Sequence, residues 1–152
     1  MNMNQFKFCA QDKPVNLDDA CRFVENDSCG ALNIFVGTVR NKHEGNDVVG
    51  ITYDIHKKLA DKEMLKIFSE LSCENENIKV YVSHAYGYVP VGENSIVIAV
   101  STPHRQESFE CCRQIIEEIK KRLPVWKKEH YVDGETAWLP GHSLVTTQQD
   151  CA

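Results

Sequence analysis

The sequence predicts an α+β fold, in which hairpins of β-strands pack against about three helices. Several short segments are rich in apolar and β-branched residues and end at polar or glycine-containing stretches, as strands do. Three other segments repeat apolar residues at helical spacing. The length of 152 residues suits one domain. We expect that domain to cover residues 1–140, with a polar C-terminal tail at residues 141–152.

The composition restricts the class of protein. The formal net charge of -5 disfavours a surface devoted to nucleic acid or to an anionic membrane, so any anion binding must be local. The seven cysteines are odd in number and include no Cys-x-x-Cys pair, which favours reduced thiols. No apolar run approaches the roughly 20 residues of a membrane span, and the first residues do not resemble a signal peptide. The sequence therefore predicts a cytoplasmic protein with no metal and no cofactor.

In the first half of the chain, three strands and one short helix are expected. Residues 5–9 alternate polar and apolar side chains, which indicates a short edge strand. Asn16 is a good N-cap for the short helix that follows it. The nearly continuous apolar run at residues 31–39 predicts a central strand buried on both faces. Residues 48–55 form a second strand, joined to the first by a polar, mobile hairpin loop at residues 41–47.

The second half predicts two long helices between further strands. Residues 56–71 have helical spacing, residues 79–84 are strand-like, and residues 95–101 form another β-rich run. Thr102-Pro103 fits a helix start, with threonine as N-cap and proline at the first helical position. That helix should run to about Arg122.

Pro124 separates the last helix from a final hairpin. It disfavours helical geometry at Leu123, so the helix ends there. Residues 125–131 should be extended, and Asp133-Gly134 is a strong turn signal before a returning strand at residues 136–139. The most basic stretch of the chain thus spans the end of a helix and the beginning of a strand.

The helical phase places one lysine at a buried edge. The apolar stripe of the last helix consists of Phe109, Cys112, Ile116, Ile119 and Leu123. Lys120 lies eleven residues after Phe109, within about 20° of it around the helix axis, so it falls on or beside the stripe while Lys121 points outward. A partly desolvated lysine has a lowered pKa and can act as a nucleophile or base. The alternative is a lysine that reaches water beside the helix C-terminus.

A second lysine is predicted to face the first. Strand alternation puts Val125 and Lys127 on one face and Trp126 and Lys128 on the other. Since Pro124 reverses the chain, Lys127 can return toward the last turn of the helix. Two ammonium groups in one cleft lower each other's pKa and attract an anion. The alternative is a solvated basic hairpin.

Further basic residues stand at the ends of other elements. His104 and Arg105 lie at a helix N-terminus, where free N–H groups favour an anion. Arg40 follows the apolar strand, and its guanidinium fork suits phosphate or carboxylate. Together these groups favour one site for a phosphorylated or carboxylated ligand. Cys111 and Cys112 lie mid-helix and are interpreted as core residues.

Three segments of the chain, in order, resemble the large, catalytic subunit of molybdopterin synthase, the MoaE family. Order and spacing agree across about residues 30–139. The segments are Phe35-Val36-Gly37-Thr38-Val39-Arg40, then Val100-Ser101-Thr102-Pro103-His104-Arg105, then Lys120-x-x-x-Pro124-x-Trp126-Lys127-Lys128-Glu129, followed by Asp133-Gly134 and Trp138.

The resemblance implies a fold and a reaction. The fold is an α/β hammerhead with a small antiparallel β subdomain, in a homodimer within a heterotetramer. The reaction converts cyclic pyranopterin monophosphate to molybdopterin by inserting two sulfurs as a dithiolene, in molybdenum cofactor biosynthesis. The sulfur arrives as a thiocarboxylate on the C-terminal Gly-Gly of a small ubiquitin-like sulfur-carrier subunit.

The resemblance also implies roles for individual residues. The two catalytic residues are Lys120 and Lys127. The substrate-binding residues are Thr38, Val39, Arg40, His104, Arg105, Lys120, Lys127, Lys128 and Glu129, with His104 and Arg105 holding the pterin phosphate. Ala85 follows His84 where the family often has arginine, a departure from the pattern. Two alternatives stay open: a non-catalytic module that binds a ubiquitin-like C-terminal tail, and an unrelated enzyme for a phosphate ligand on a similar fold.

Overall fold

Two β-sheets and three α-helices build the part of the chain that this computed structural model describes, residues 3–12 and 14–140. The α+β prediction is therefore confirmed. After a 3-10 turn at Met3–Gln5, the elements in chain order are β1 (Phe6–Gln11), α1 (Leu17–Val24), β2 (Ala31–Thr38), β3 (Lys42–His43), β4 (Asn46–Ile55), α2 (Lys57–Glu74), β5 (Lys79–Ala85), β6 (Gly87–Pro90), β7 (Asn94–Thr102), α3 (Arg105–Arg122), β8 (Val125–Tyr131) and β9 (Thr136–Trp138).

The larger sheet separates two hydrophobic cores. Its strand order is β1-β5-β7-β2, with β1 parallel to β5 and the other pairs antiparallel. Because side chains alternate along a strand, Val80, Val82 and Ile98 pack with α2 and α3 on one face. Tyr81 and Val97 pack with α1 on the other. Both faces of β5 and β7 are therefore buried, which gives these strands their nearly continuous apolar sequences.

The smaller sheet carries the last part of the chain. It is antiparallel, with order β3-β4-β8-β9 and β6 also paired to β4. The small antiparallel subdomain expected from the family resemblance is thus present. Part of the glycine- and proline-containing connection after β5 forms strand β6.

The prediction that residues 31–39 form a central strand buried on both faces is wrong. Among the described residues, strand β2 is at the edge of its sheet and pairs only with β7. Leu32 and Phe35 are 47% and 38% exposed. An apolar run indicates that the side chains of a strand are shielded from water. A strand at the edge of a sheet can have such a sequence when a second protein surface covers it.

Strands β2 and β4 are not hairpin partners, contrary to expectation, since they belong to different sheets. The pairing of β2 shifts register between Gly37 and Thr38. After this irregularity the chain leaves the larger sheet and enters the smaller sheet at β3. Residues 41–47 include a tight hairpin between β3 and β4, because Glu44 and Gly45 both have positive φ angles, 48° and 82°.

Helix α3 begins two residues later than predicted. Thr102 is the last residue of β7, and its hydroxyl donates to the carbonyl oxygen of His104 at 2.7 Å instead of capping a helix. His104 is the N-cap, without a side-chain capping bond. The end of the helix is as predicted, with Leu123 as C-cap before Pro124.

Helices α2 and α3 are joined by Arg122 at the end of α3. Its guanidinium donates to Glu63 at 3.3 Å, to Glu70 at 2.8 Å and to Glu118 at 3.3 Å. Cys111 and Cys112 are buried in the core beneath α3, as predicted. None of the described helices is long and apolar enough to cross a membrane. The tail predicted at residues 141–152 lies outside the described residues, so the division into a domain and a tail stays a prediction.

Candidate active site

Arg40, Lys120 and Lys127 bring their positive charges to one place. The pKa of Lys127 lies below its ordinary value, first because burial desolvates the ammonium group and then because Lys120 and Arg40 place positive charge nearby. Three elements supply these residues: the chain after β2, the last turn of α3 and strand β8. The sequence prediction that Lys127 returns toward Lys120 is confirmed.

The turn at Pro124 makes this approach possible. The carbonyl oxygen of Pro124 accepts a 3.1 Å hydrogen bond from the backbone N–H of His56, and the N–H of Val125 donates to Leu123 O at 2.8 Å. Strand β8 therefore begins at once and pairs with β4. The helix end and the strand are held at a fixed angle by backbone bonds.

Lys120 itself is exposed, so the expectation that it lies at a buried edge is wrong. Phe109, from which the helical phase was counted, is 61% exposed. The buried residues of α3 are Ser108, Cys111, Cys112, Ile115 and Ile119. Lys121 points outward as predicted, with 69% of its side chain exposed.

Arg40 is positioned by the residue before it. Val39 is buried, its N–H donates to Glu93 O at 3.1 Å, and its carbonyl oxygen accepts from the N–H of Gly92 at 2.9 Å. The contribution of Val39 is thus to fix the end of β2, from which Arg40 projects. Thr38 is exposed at the same strand end.

Arg40, Lys120 and Lys127 differ from Arg122 and Lys66 in their ion pairs. Within residues 3–12 and 14–140, no ion pair is formed by Arg40, Lys120 or Lys127. By contrast, Arg122 contacts three glutamates, and Lys66 pairs with Glu63 at 2.7 Å. The site is therefore a local excess of positive charge in an acidic chain.

Glu129 lies behind Lys127 on the same face of β8. Its side chain is 2% exposed, and its Oε1 lies 2.6 Å from Nδ1 of His43. Its Oε2 is buried without a hydrogen-bond partner among the described residues. Glu129 raises the pKa of Lys127, against the larger lowering effects. Burial places the carboxylate beneath the surface of the cleft.

Lys128 projects from the opposite face of β8. Its ammonium nitrogen lies 5.3 Å from the ring centroid of Trp138. Both residues line a groove of about 460 Å³ together with Lys57 and Tyr86, and the Lys57 nitrogen lies 4.0 Å from the Tyr86 ring centroid. The structure thus separates the side chain of Lys128 from that of Lys127.

Sequence reasoning missed the surroundings of Lys127. Tyr53 pairs with Lys127 across β4 and β8, and the ring edge of His84 meets Tyr53 with centroids 5.2 Å apart. Nδ1–H of His84 donates to Ala85 O at 2.7 Å. Burial, aided by the charge of Lys127, lowers the pKa of His84 to about 4, so its ring is neutral at neutral pH. These neighbours are set by strand pairing between distant segments, which no local motif indicates.

His104 and Arg105 are not brought to this cleft within one chain. They are exposed at the N-terminal end of α3, whereas Lys120 is in its last turn. Fifteen residues of α-helix separate Arg105 from Lys120, or about 22 Å at the usual rise. The predicted site residues therefore occupy three places: the cationic cleft, the groove beside Lys128, and the far end of α3.

Comparison with known sequences gives consistent results. The sequence profile of the family described as MoaE protein matches residues 10–122. The molybdopterin synthase catalytic subunit of Synechococcus elongatus is 39% identical over 132 residues, 86% of this chain and 80% of that protein. The molybdopterin synthase catalytic subunit of Pyrococcus abyssi is 35% identical over 149 residues, 98% of this chain and 100% of that protein.

Solved structures show the same architecture. Molybdopterin synthase from Staphylococcus aureus superposes with a TM-score of 0.81 at 29% identity, covering 93% of this chain and 100% of that one. A complex of subunits 1 and 2 of molybdopterin-converting factor from Helicobacter pylori gives a TM-score of 0.66 at 22% identity, covering 88% of each chain. The second likeness concerns the fold alone.

Proposed function

Because this chain belongs to the MoaE family of molybdopterin synthase catalytic subunits, we propose that Arg40, Lys120 and Lys127 form its sulfur-transfer site. The substrate is cyclic pyranopterin monophosphate, and the product is molybdopterin. In each transfer the carbon–sulfur bond of the carrier thiocarboxylate breaks and a carbon–sulfur bond to the pterin side chain forms in place of a carbon–oxygen bond. The carrier takes up one oxygen, from the pterin side or from water, and is released as a carboxylate. Both the phosphate ester and the thiocarboxylate are anions, which a cationic cleft in an acidic protein attracts.

One observation carries this proposal: three cations that form no ion pair within the described ranges converge, and one of them, Lys127, is half-buried. Like charges brought together and desolvated cost free energy. An anionic ligand recovers part of that cost, so the arrangement favours binding of the reactants. A purely structural cluster would be expected to contain its own carboxylates, as the contacts of Arg122 do.

The two lysines differ in environment, and we assign them different roles. Lys120 is exposed, so it can meet the carbonyl group of the incoming thiocarboxylate, as charge stabiliser or nucleophile. Lys127 is largely buried and has a lowered pKa, which suits a group that carries a proton or stabilises charge on the pterin intermediate. Arg40 is suited to hold an anionic group of the pterin substrate.

We further propose that His104 and Arg105 reach the pterin phosphate from a second copy of the chain. The distance along α3 prevents them from sharing a site with their own Lys120. Phe109, one turn after Arg105, is 61% exposed, and the apolar edge strand β2 is also uncovered in one chain. A homodimer that covers these side chains would complete two equivalent sites.

The small ubiquitin-like sulfur-carrier subunit is the proposed partner of this homodimer, giving a heterotetramer. A complex of subunits 1 and 2 of molybdopterin-converting factor from Helicobacter pylori includes a chain of this fold, which supports a second subunit as partner. The proposal includes a cytoplasmic location, supported by free thiols at Cys9, Cys21, Cys29, Cys111 and Cys112.

The test mixes the purified chain with the thiocarboxylated small subunit and cyclic pyranopterin monophosphate, then measures dithiolene product. We expect product from the wild type and severe loss in Lys120→Ala and Lys127→Ala, while Lys121→Ala serves as the matched exposed control on the same helix turn. Near-normal turnover in Lys120→Ala would remove its assigned role. Binding of the small subunit without any product from the wild type would favour the non-catalytic binding module instead.

A further inference from the structure

The contact between His43 and Glu129 joins the β3–β4 hairpin to the strand that carries Lys127. The two side chains are 31% and 2% exposed, and the Nδ1–Oε1 distance is 2.6 Å. Within the described ranges Oε2 of Glu129 has no hydrogen-bond partner, and the contact with His43 is the carboxylate's only ion-pair contact. His43 therefore holds this buried carboxylate through a single contact.

Glu129 is also near the ammonium group of Lys127, which forms no ion pair within the described ranges. Two residues along a strand place side chains on the same face about 7 Å apart. The titratable groups acting on Lys127 come from five elements or their ends: Glu129 in β8, Lys120 in α3, Arg40 after β2, His84 in β5 and, by register, Tyr53 in β4. Among these, only Glu129 raises the pKa of Lys127. A carboxylate and an ammonium group so placed attract each other.

We propose that His43 is a positioning residue for sulfur transfer: its 2.6 Å contact with Oε1 holds the Glu129 carboxylate away from Lys127, so that the amine stays available to substrate. This inference rests on the proposed function of Lys127. If His43 were absent, Glu129 would have two unsatisfied oxygens in a buried place, and a rotation toward Lys127 would satisfy both groups. The ion pair would stabilise the ammonium form of Lys127 and neutralise the positive charge that attracts the anionic reactants.

The test measures the reactivity of the Lys127 amine directly. Wild-type chain and His43→Ala are labelled with acetic anhydride over a range of pH, and acetylation at Lys127 is quantified by mass spectrometry. We expect slower labelling of Lys127 in His43→Ala. A rise of about one unit in its pKa gives about a tenfold drop well below that pKa. Dithiolene turnover should fall in parallel, with little change in binding of the small subunit.

Two further variants separate positioning from a general structural effect. Glu129→Gln removes the negative charge, so in that background His43→Ala should no longer slow labelling of Lys127, a coupling that a double-mutant cycle detects. Lys42→Ala is the matched control in the same hairpin, because its 3.4 Å pair with Asp47 is exposed. It should leave both labelling and turnover unchanged.

Labelling of Lys127 in His43→Ala decides whether His43 has this positioning role. Unchanged labelling of Lys127 in a folded His43→Ala overturns it, whatever happens to turnover. If that variant does not fold, His43→Gln replaces it; its amide can donate to Glu129, so labelling as in wild type is required and slower labelling overturns the inference. Normal turnover in Lys127→Ala would refute the catalytic role of Lys127 instead, while leaving the labelling result to stand.

Discussion

Tyr53 and Lys127 are direct partners across strands β4 and β8, and both are largely buried. Lys127 therefore has a tyrosine rather than a carboxylate as its register partner on the neighbouring strand. The pKa of Tyr53 is raised by burial, so its hydroxyl keeps its proton at neutral pH. The register partner of Lys127 is thus uncharged, and loss of the lysine proton is favoured by burial and by the nearby charges of Lys120 and Arg40.

Replacing Lys127 by arginine should separate charge from proton transfer. Arginine keeps the positive charge but does not lose its proton near neutral pH. If Lys127 carries a proton, turnover in Lys127→Arg should fall by about 10²-fold or more, while binding of cyclic pyranopterin monophosphate persists. Dithiolene formation and substrate affinity are measured separately. Lys121→Arg is the control, and full turnover in Lys127→Arg would leave only an electrostatic role.

His84 should make the wild-type fold sensitive to mild acid. Its pKa is lowered from 6.5 to about 4, first by burial, so the unfolded chain binds the proton before the folded chain does. Stability from this group is therefore present above pH 6.5 and is lost as the pH falls toward about 4. The loss is on the order of 3 kcal/mol.

The variant His84→Gln checks this prediction by urea unfolding at both ends of that pH range. We expect it to be less stable than wild type above the range but to lose less stability on acidification. His104→Gln, which changes an exposed histidine, should keep the wild-type response. Equal acid sensitivity of His84→Gln and wild type would contradict the assignment.

Two inactive variants should complement each other if a second copy completes the site. A mixed dimer of Lys120→Ala and Arg105→Ala has one site with both defects and one site with neither. After random exchange of subunits, about a quarter of all sites are intact. We expect product formation near that fraction after the variants are co-refolded, and none from either variant alone. If dimers shown to be mixed recover no activity, Lys120 and Arg105 of the same chain would belong to one site.

The exposed apolar edge of the larger sheet should be needed for self-association. Leu32 on β2 is 47% exposed and Leu65 on α2 is 42% exposed, so the two are matched in accessibility. We expect Leu32→Glu to shift the chain toward monomer in sedimentation velocity, because a charge would be desolvated in the interface. Leu65→Glu should leave the dimer intact. A monomer produced by Leu65→Glu alone would move the interface to α2.

Local sequence signals predicted most of the fold. The Pro124 stop, the Asp133-Gly134 turn and the limits of β8 agree with the structure because each depends on backbone chemistry within a few residues. Strand partners were harder to predict. The apolar run of β2 resembled a central strand, and its actual place at an edge depends on the path of the chain after Thr38.

The candidate site shows the same division. Alternation placed Lys127 and Lys128 on opposite faces correctly. The exposure of Lys120 was not foreseen, since Phe109 was taken as a buried reference and is instead exposed. His43 was also missed. Its contact with Glu129 joins residues that are 86 positions apart in the sequence, and it depends on the β3–β4 hairpin turn.

The turn at Pro124 has a consequence for protein engineering. Both proposed catalytic lysines lie within one uninterrupted peptide, residues 120–127, fixed at its middle by the bond from His56 N–H to Pro124 O. A graft of this peptide into another scaffold would reproduce its covalent spacing but not its angle. The recipient must also offer a strand-to-helix junction like that between β4 and α2, with a free N–H at the position of His56.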